Sequence, residues 1–288
     1  MMRPWILILI ACLGCGNLTA QDSLGVATAG LNTTHATVVG AGKVNLLDTY
    51  LSPLEYSGPQ LQFLHESLRT MRWAKGRISM QSIWQVDLSY THNKPDKGRE
   101  LGGDIGYNIG WHYNFCFGNT AERLPRLRIL VGPQLAANAG FLYNTRNGNN
   151  PAQAIASLHL AASAALIFRF HLRQQPVVAR YQLDLPLVGA KFSPNYGQSY
   201  YEIFSLGHTD HNVCLTHPFN AFSNRHLMTL DFPLRHTTLR VGYLCDIRQS
   251  HVNGLKYHSY THAMLLGIVR HLTIHKPRRR QQPSPFVL

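Results

Sequence analysis

The chain has 288 residues, a formal net charge of +13 and charged side chains at only 14% of positions, against about 25% in an ordinary soluble domain. So sparse a charge points to a surface that faces something other than water. The excess of Lys and Arg is scattered with no DNA- or RNA-reading motif, which excludes nucleic acid and leaves anionic lipid head groups as the expected counter-charge.

Residues 1–20 have the form of a signal peptide: Met1-Met2-Arg3, an apolar run from Trp5 to Leu13, and small residues before cleavage after Ala20. Leu9-Ile10-Ala11-Cys12 also fits lipidation at Cys12, so both processing routes stay open. Beyond this segment Cys116, Cys214 and Cys245 are odd in number and widely spaced, which argues for neither a disulfide framework nor a zinc knuckle. The body of the chain is taken as one domain, 21–274. The last stretch, 275–288, holds Lys276-Pro277-Arg278-Arg279-Arg280 and a Pro-rich sequel, and reads as a basic disordered tail.

Within the body, alternation and turn residues predict twelve strands: 36–47, 59–71, 77–90, 102–117, 126–142, 154–170, 176–187, 200–206, 212–218, 226–234, 237–248 and 259–272. The clearest is 102–117, where Ile105, Tyr107, Ile109, Trp111, Tyr113, Phe115 and Phe117 share one face and Asp104, Gly106, Asn108, Gly110, His112 and Asn114 share the other. In 78–90, Ile78, Met80, Trp84, Val86, Leu88 and Tyr90 oppose Ser79, Gln81, Gln85, Asp87 and Ser89. The most helix-like stretch, Ala154 to Phe170, keeps Ser157, His159, Ser163 and Arg169 on one parity, as a strand requires.

Strands with one apolar and one polar face, behind an export signal, predict a membrane-spanning antiparallel up-and-down β-barrel in the bacterial outer membrane. The connections agree in part. Short links at Arg72–Gly76, His171–Gln175, Gly207–His211 and Arg235-His236 alternate with longer ones at 48–58, 91–101, 143–153, 188–199, 219–225 and 249–258, while 118–125 is long for its side. Segments 200–206 and 212–218 fall short of the roughly 9–11 residues of a spanning strand. Ten strands with one large loop is therefore the alternative to twelve. A soluble β-barrel with its apolar face inward would show the same period; strand length and the aromatics near strand ends favour the membrane.

The segments Asn45-Leu46-Leu47-Asp48-Thr49-Tyr50-Leu51-Ser52-Pro53-Leu54-Glu55-Tyr56 and Tyr196-Gly197-Gln198-Ser199-Tyr200-Tyr201-Glu202-Ile203-Phe204 resemble those of an exported family of Bacteroidota proteins. That family is catalogued only as a domain of unknown function and is regarded as one of outer-membrane β-barrels. The resemblance implies the fold and the location and leaves the chemistry open. The basic tail departs from barrels that end on an aromatic residue, which bears on where the last strand stops.

The polar face collects both signs of charge. Asp87, Asp104, Asp184, Asp231 and Asp246 accompany Arg169, Arg180, Arg240 and Arg248, with His112 and His159. In a narrow lumen these residues would either neutralise one another as a structural network or line a polar path or cavity for a small solute. Asp48, Tyr50, Glu55 and Tyr56, with Tyr200 and Glu202, are placed at the outer end, where ligand-contacting loops belong.

No enzyme is expected. Adjacent His258 and Ser259 point to opposite faces of a strand, and no Gly-x-Ser-x-Gly elbow occurs. His208, Asp210, His211 and His217 gather at a turn by chance rather than as a metal site, and no cofactor is implied. The leading function is passage or binding of small polar solutes through a partly plugged lumen. The alternatives are a structural or adhesive envelope protein acting through its outer loops and, further off, a lipid-directed hydrolase.

Overall fold

The computed structural model describes residues 31–118, 127–173, 175–234 and 237–274. The signal segment 1–20 and the basic tail 275–288 lie outside them. Eleven strands occur among the described residues: β1 (Leu31–Asp48), β2 (Tyr56–Thr70), β3 (Ile78–Asn93), β4 (Arg99–Phe117), β5 (Leu127–Asn144), β6 (Ala152–Leu172), β7 (Gln175–Phe192), β8 (Val213–Thr216), β9 (Asn224–Pro233), β10 (Thr238–Val252) and β11 (Leu255–Ile274). All but β8 form a closed antiparallel barrel. The order runs β6-β5-β4-β3-β2-β1-β11-β10-β9-β7, and β7 pairs back to β6. Closure satisfies every wall strand on both edges, the condition for placing a sheet in lipid.

The wall thus has ten strands, not twelve, and the two short candidates are the ones that fail. Segment 200–206 contains a helix, α1 (Tyr200–Phe204), because Ser199 and Glu202 form a reciprocal capping box at its start. Segment 212–218 contributes only β8, whose four residues pair with Gly189–Phe192 of β7 outside the wall sequence. Both belong to one excursion, 193–223.

The expected long loop 249–258 is also corrected. β10 and β11 run on until Val252 faces Leu255 across Asn253-Gly254, where φ is 52° and 71°. Positive φ at both central residues is the tight hairpin that Asn-Gly favours, since its twist matches that of the flanking strands. The Asn253 side chain donates to the carbonyls of Ser193 and His211 at 3.0 and 2.8 Å and so ties the excursion to this turn.

Side-chain parity follows the sequence. Trp84, Leu88, Leu101, Ile105, Trp111 and Phe141 are exposed, whereas Gln81, Gln85, Asp87, His112 and Gln134 are buried on the inner face. Along β4 the thirteen-residue run from Leu101 to Tyr113 covers about 40 Å of strand, or about 30 Å of barrel height at a tilt near 40°. Exposed Tyr113, Phe115 and Phe117 close this band at the short-turn end, and Tyr90 and Tyr143 at the long-loop end, as interfacial girdles do.

The lumen is filled in layers. Val38, Leu64, Ile83, Leu227, Leu244 and Leu265 form an apolar cluster inside the barrel. One inward step toward the short turns lie Glu66 and Gln81, and two steps that way lie Asp231 and Arg240; one step toward the long loops lie Gln85, Arg225 and Asp246. Gly40 leaves the space that Leu265 occupies, since a Cβ there would meet Leu265 Cδ2 at 2.5 Å. Truncating Leu244, which has no exposure, to Ala should cost about 2–5 kcal/mol through the cavity left behind. Urea unfolding of the barrel in micelles, followed by the gel shift between folded and boiled bands, would measure it.

Candidate functional site in the lumen

Two ionic clusters flank the apolar layer. In the one nearer the short turns, Glu66 accepts from Arg180 Nη1 at 2.5 Å and from Arg240 Nη1 at 2.7 Å. Arg240 also grips Asp231 with both Nε and Nη2, at 2.7 and 2.8 Å. Gln81 donates to Glu66 at 2.7 Å and to Gln182 at 2.9 Å, and Gln182 in turn accepts from Arg180 Nη2. Strands β2, β3, β7, β9 and β10 are thereby joined across the interior. Each charge is buried, so removing one partner leaves the others uncompensated.

The second cluster lies toward the long loops. Arg248 reaches across from β10 to Asp104 at 2.5 Å and Asp87 at 3.2 Å, and holds Asp246 of its own strand at 3.1 Å. Beside it is a cavity of about 100 Å³, lined among others by Gln134, Asn138, His159, Lys191, Arg225 and Tyr257. At about 10–15 Å³ per water, it has room for several waters or one small solute.

The sequence-predicted residues are distributed over this interior as follows. Arg180, Asp231 and Arg240 join the first cluster, and Asp87, Asp104, Asp246 and Arg248 make the second. Asp184 accepts from Ser163 and Gln182 at 2.6 and 2.8 Å. His159 faces the cavity, and His112 is buried with neither ring nitrogen hydrogen-bonded. Arg169 is half-buried near the short-turn end of β6.

The candidates drawn from sequence omit Glu66, Gln134, Lys191 and Arg225, and also Gln81 and Gln182, which parity does put on the polar face. Glu66 was legible, since Gln60, Gln62 and Glu66 alternate against exposed Leu61 and Phe63. Lys191 was not. A bulge where Leu160 and Ala161 face Val188 and Pro186 shifts the parity of β7 before that residue, and a bulge leaves no period to read.

The outer candidates meet at the long-loop end. Tyr56 and Leu51 pack with Val44, Leu46 and Leu142 as a lid of apolar side chains, with Tyr50 against them. Asp48 Oδ1 accepts from the Tyr50 amide at 3.0 Å. Tyr50 stands edge-on to Tyr200 at 5.8 Å, and burial, followed by the neighbouring Tyr200, Asp48 and Glu202, pushes its phenol up to about 12. Tyr200 accepts from the Ala154 amide at 2.6 Å and donates to Gln153 at 2.9 Å, fixing α1 to β6. Glu55 is peripheral, accepting from Asn45 at 3.3 Å. Tyr56, Tyr50 and Tyr200 therefore gather at the long-loop end, and Glu202 holds the α1 cap.

His258 and Ser259 do face opposite sides: Ser259 is buried within the barrel, while His258 stacks on Tyr260 at 4.4 Å. His208 and His211 are exposed on the excursion.

A closed antiparallel barrel with an apolar exterior and a charge-filled interior defines the class of outer-membrane-type β-barrels. Residues 6–279 match a family described as "Protein of unknown function (DUF3316)". The chain belongs to that family. No curated protein matches it. Among solved structures it is similar to the transport unit of the autotransporter AIDA-I from Escherichia coli, at 8% identity over 93% of this chain and 99% of that one, with a TM-score of 0.40. The outer membrane protease OmpT from Escherichia coli is similar at 8% identity over 85% and 97%, TM-score 0.43. The translocator domain of the autotransporter NalP from Neisseria meningitidis follows at 8% over 83% and 88%, TM-score 0.37. Likeness at this level is one of fold and carries no activity with it.

Replacing Glu66 with Gln should destabilise the barrel by about 3–5 kcal/mol, because Arg180 loses its carboxylate inside a closed lumen; the unfolding midpoint in urea reads this directly. At the mouth, the Glu202 carboxyl is held below its ordinary range by hydrogen bonds from the Ser199 amide and hydroxyl. Its pKa is lower folded than unfolded, so the support it gives α1 is present above the unfolded value and is lost as pH falls through the folded one. Limited proteolysis within 193–223 should accelerate on acidification, and Glu202→Gln should show the faster cleavage already at neutral pH.

Proposed function

We propose that this protein resides in the bacterial outer membrane and binds a small polar solute in its lumen instead of passing it across. One observation carries the reading: the interior is crossed by an ionic layer and an apolar layer, while a polar cavity stays open on their long-loop side. Glu66 on β2 touches Arg180 on β7 and Arg240 on β10, so side chains bridge the lumen at that level. The void beside the apolar layer measures only about 10 Å³, room for about one water. The aromatic girdles, the apolar belt and the low charge content support the membrane location.

A reading of passage would need the layers to part, and conductance decides between the two. Folded protein, identified by a faster-running unboiled band, should give no steady openings in planar bilayers. The variant carrying Leu64→Ser, Ile83→Ser, Leu244→Ser and Leu265→Ser leaves the Glu66–Arg180–Arg240 layer in place and should likewise stay closed if it keeps that band. Steady openings from the native protein would overturn the closed-lumen reading.

A further inference from the structure

Two cations line the outer cavity without a carboxylate partner. Arg225 is only 7% exposed, yet no ion pair is formed by it among the described residues. With the Asn108 amide oriented oxygen-first, Arg225 Nη1 donates to it at 2.8 Å. Nε and Nη2 have no hydrogen bond. Its register neighbours on β7 and β10 are Asp184 and Asp246, but Asp184 is engaged by Ser163 and Gln182, and Asp246 by Arg248. Lys191 likewise forms no ion pair among the described residues, with Asp48 the nearby carboxylate. Its ammonium donates to Ser250 at 2.7 Å and sits 3.9 Å from the centre of the Tyr257 ring. Gln134, on the same cavity, is 1% exposed with neither amide atom hydrogen-bonded.

Buried guanidinium N–H groups without an acceptor are costly, and unpaired amides beside them add to that cost. Nε and Nη2 are the two adjacent N–H groups on one edge of a guanidinium, the geometry that grips two oxygens of one carboxylate or phosphate side by side. Arg248 is bonded to three aspartates and Asp184 to neutral donors alone, so Arg225 and Lys191 are the cavity's cations with no carboxylate bonded to them. We propose that the lumen cavity is a binding site for a small oxyanion, a carboxylate or phosphate group, with Arg225 as its two-pronged anchor, Lys191 as the second charge and Gln134 as a hydrogen-bonding wall. This rests on the reading that the lumen binds a solute, and it names the class of that solute.

The test is calorimetric titration of the full chain, folded in zwitterionic micelles, with inorganic phosphate, succinate and uncharged glycerol. Succinate or phosphate should bind and glycerol should not, with affinity at least tenfold weaker in Arg225→Gln and in Lys191→Gln. Asn108→Asp supplies Arg225 with an internal carboxylate, so that variant should fold, keep its unboiled gel mobility and lose the oxyanion. A second arm adds phosphatidylglycerol to the micelles. Binding through the lipid alone, with the same dependence on Arg225, would support the oxyanion chemistry and assign it to a head group. Binding of glycerol as strong as that of succinate, unchanged by Arg225→Gln and Asn108→Asp, would overturn the oxyanion class and leave a solute-binding lumen standing. Binding of none of these probes would overturn the oxyanion site, whereas only conductance by the native protein overturns the closed lumen.

Discussion

Neutralisation of charge inside a closed wall is the constraint on which this structure depends. A barrel whose outer face is Leu, Ile, Trp and Phe must turn its carboxylates and guanidiniums inward, where water is scarce and each charge needs an opposite one within reach. Glu66 satisfies two arginines from strands on other parts of the circumference, and one of those shares Asp231. The same contacts that neutralise the interior fix the distance between opposite walls. They therefore determine how wide the lumen can be, and the apolar cluster above them fills what width remains.

Much of the wall was legible in the sequence because a strand encodes its two faces in its period. Ile105 to Phe117 and Ile78 to Tyr90 lie where alternation puts them, and all the aspartates and arginines chosen by parity face inward. The shortfall arose where the period carries no information. Asn253-Gly254 makes a two-residue turn inside what composition alone describes as a long polar loop, although the dipeptide itself was a signal for it. Ser199 and Glu202 likewise spell out a helix start within an apparent strand. In both cases a local hydrogen-bonding pattern outweighed alternation over a handful of residues.

The binding features were less legible than the fold. Parity identifies which charges share the lumen and says nothing about which of them meet. Arg240 and Arg225 look alike in sequence, each inward on a neighbouring strand, yet one is held by two carboxylates and the other by none. That difference depends on barrel stagger and on the reach of side chains from β2 and β4, which are distant in the chain. Sites of this kind become visible only through the contacts they lack.

The seam of the barrel bears on how it forms. β1 pairs with β11 along its entire length, from Leu31 opposite Ile274 to Asp48 opposite Tyr257, so the first and last strands are each other's neighbours. Such a pairing has the longest loop closure in the chain, and until it is made β1 exposes one unpaired edge. An unclosed sheet with a lipid-compatible face is open to pairing with another chain in water. The barrel therefore gains its protection against aggregation in one late event, and the interval between synthesis of β1 and arrival of β11 is when it most needs to be kept apart from its own kind.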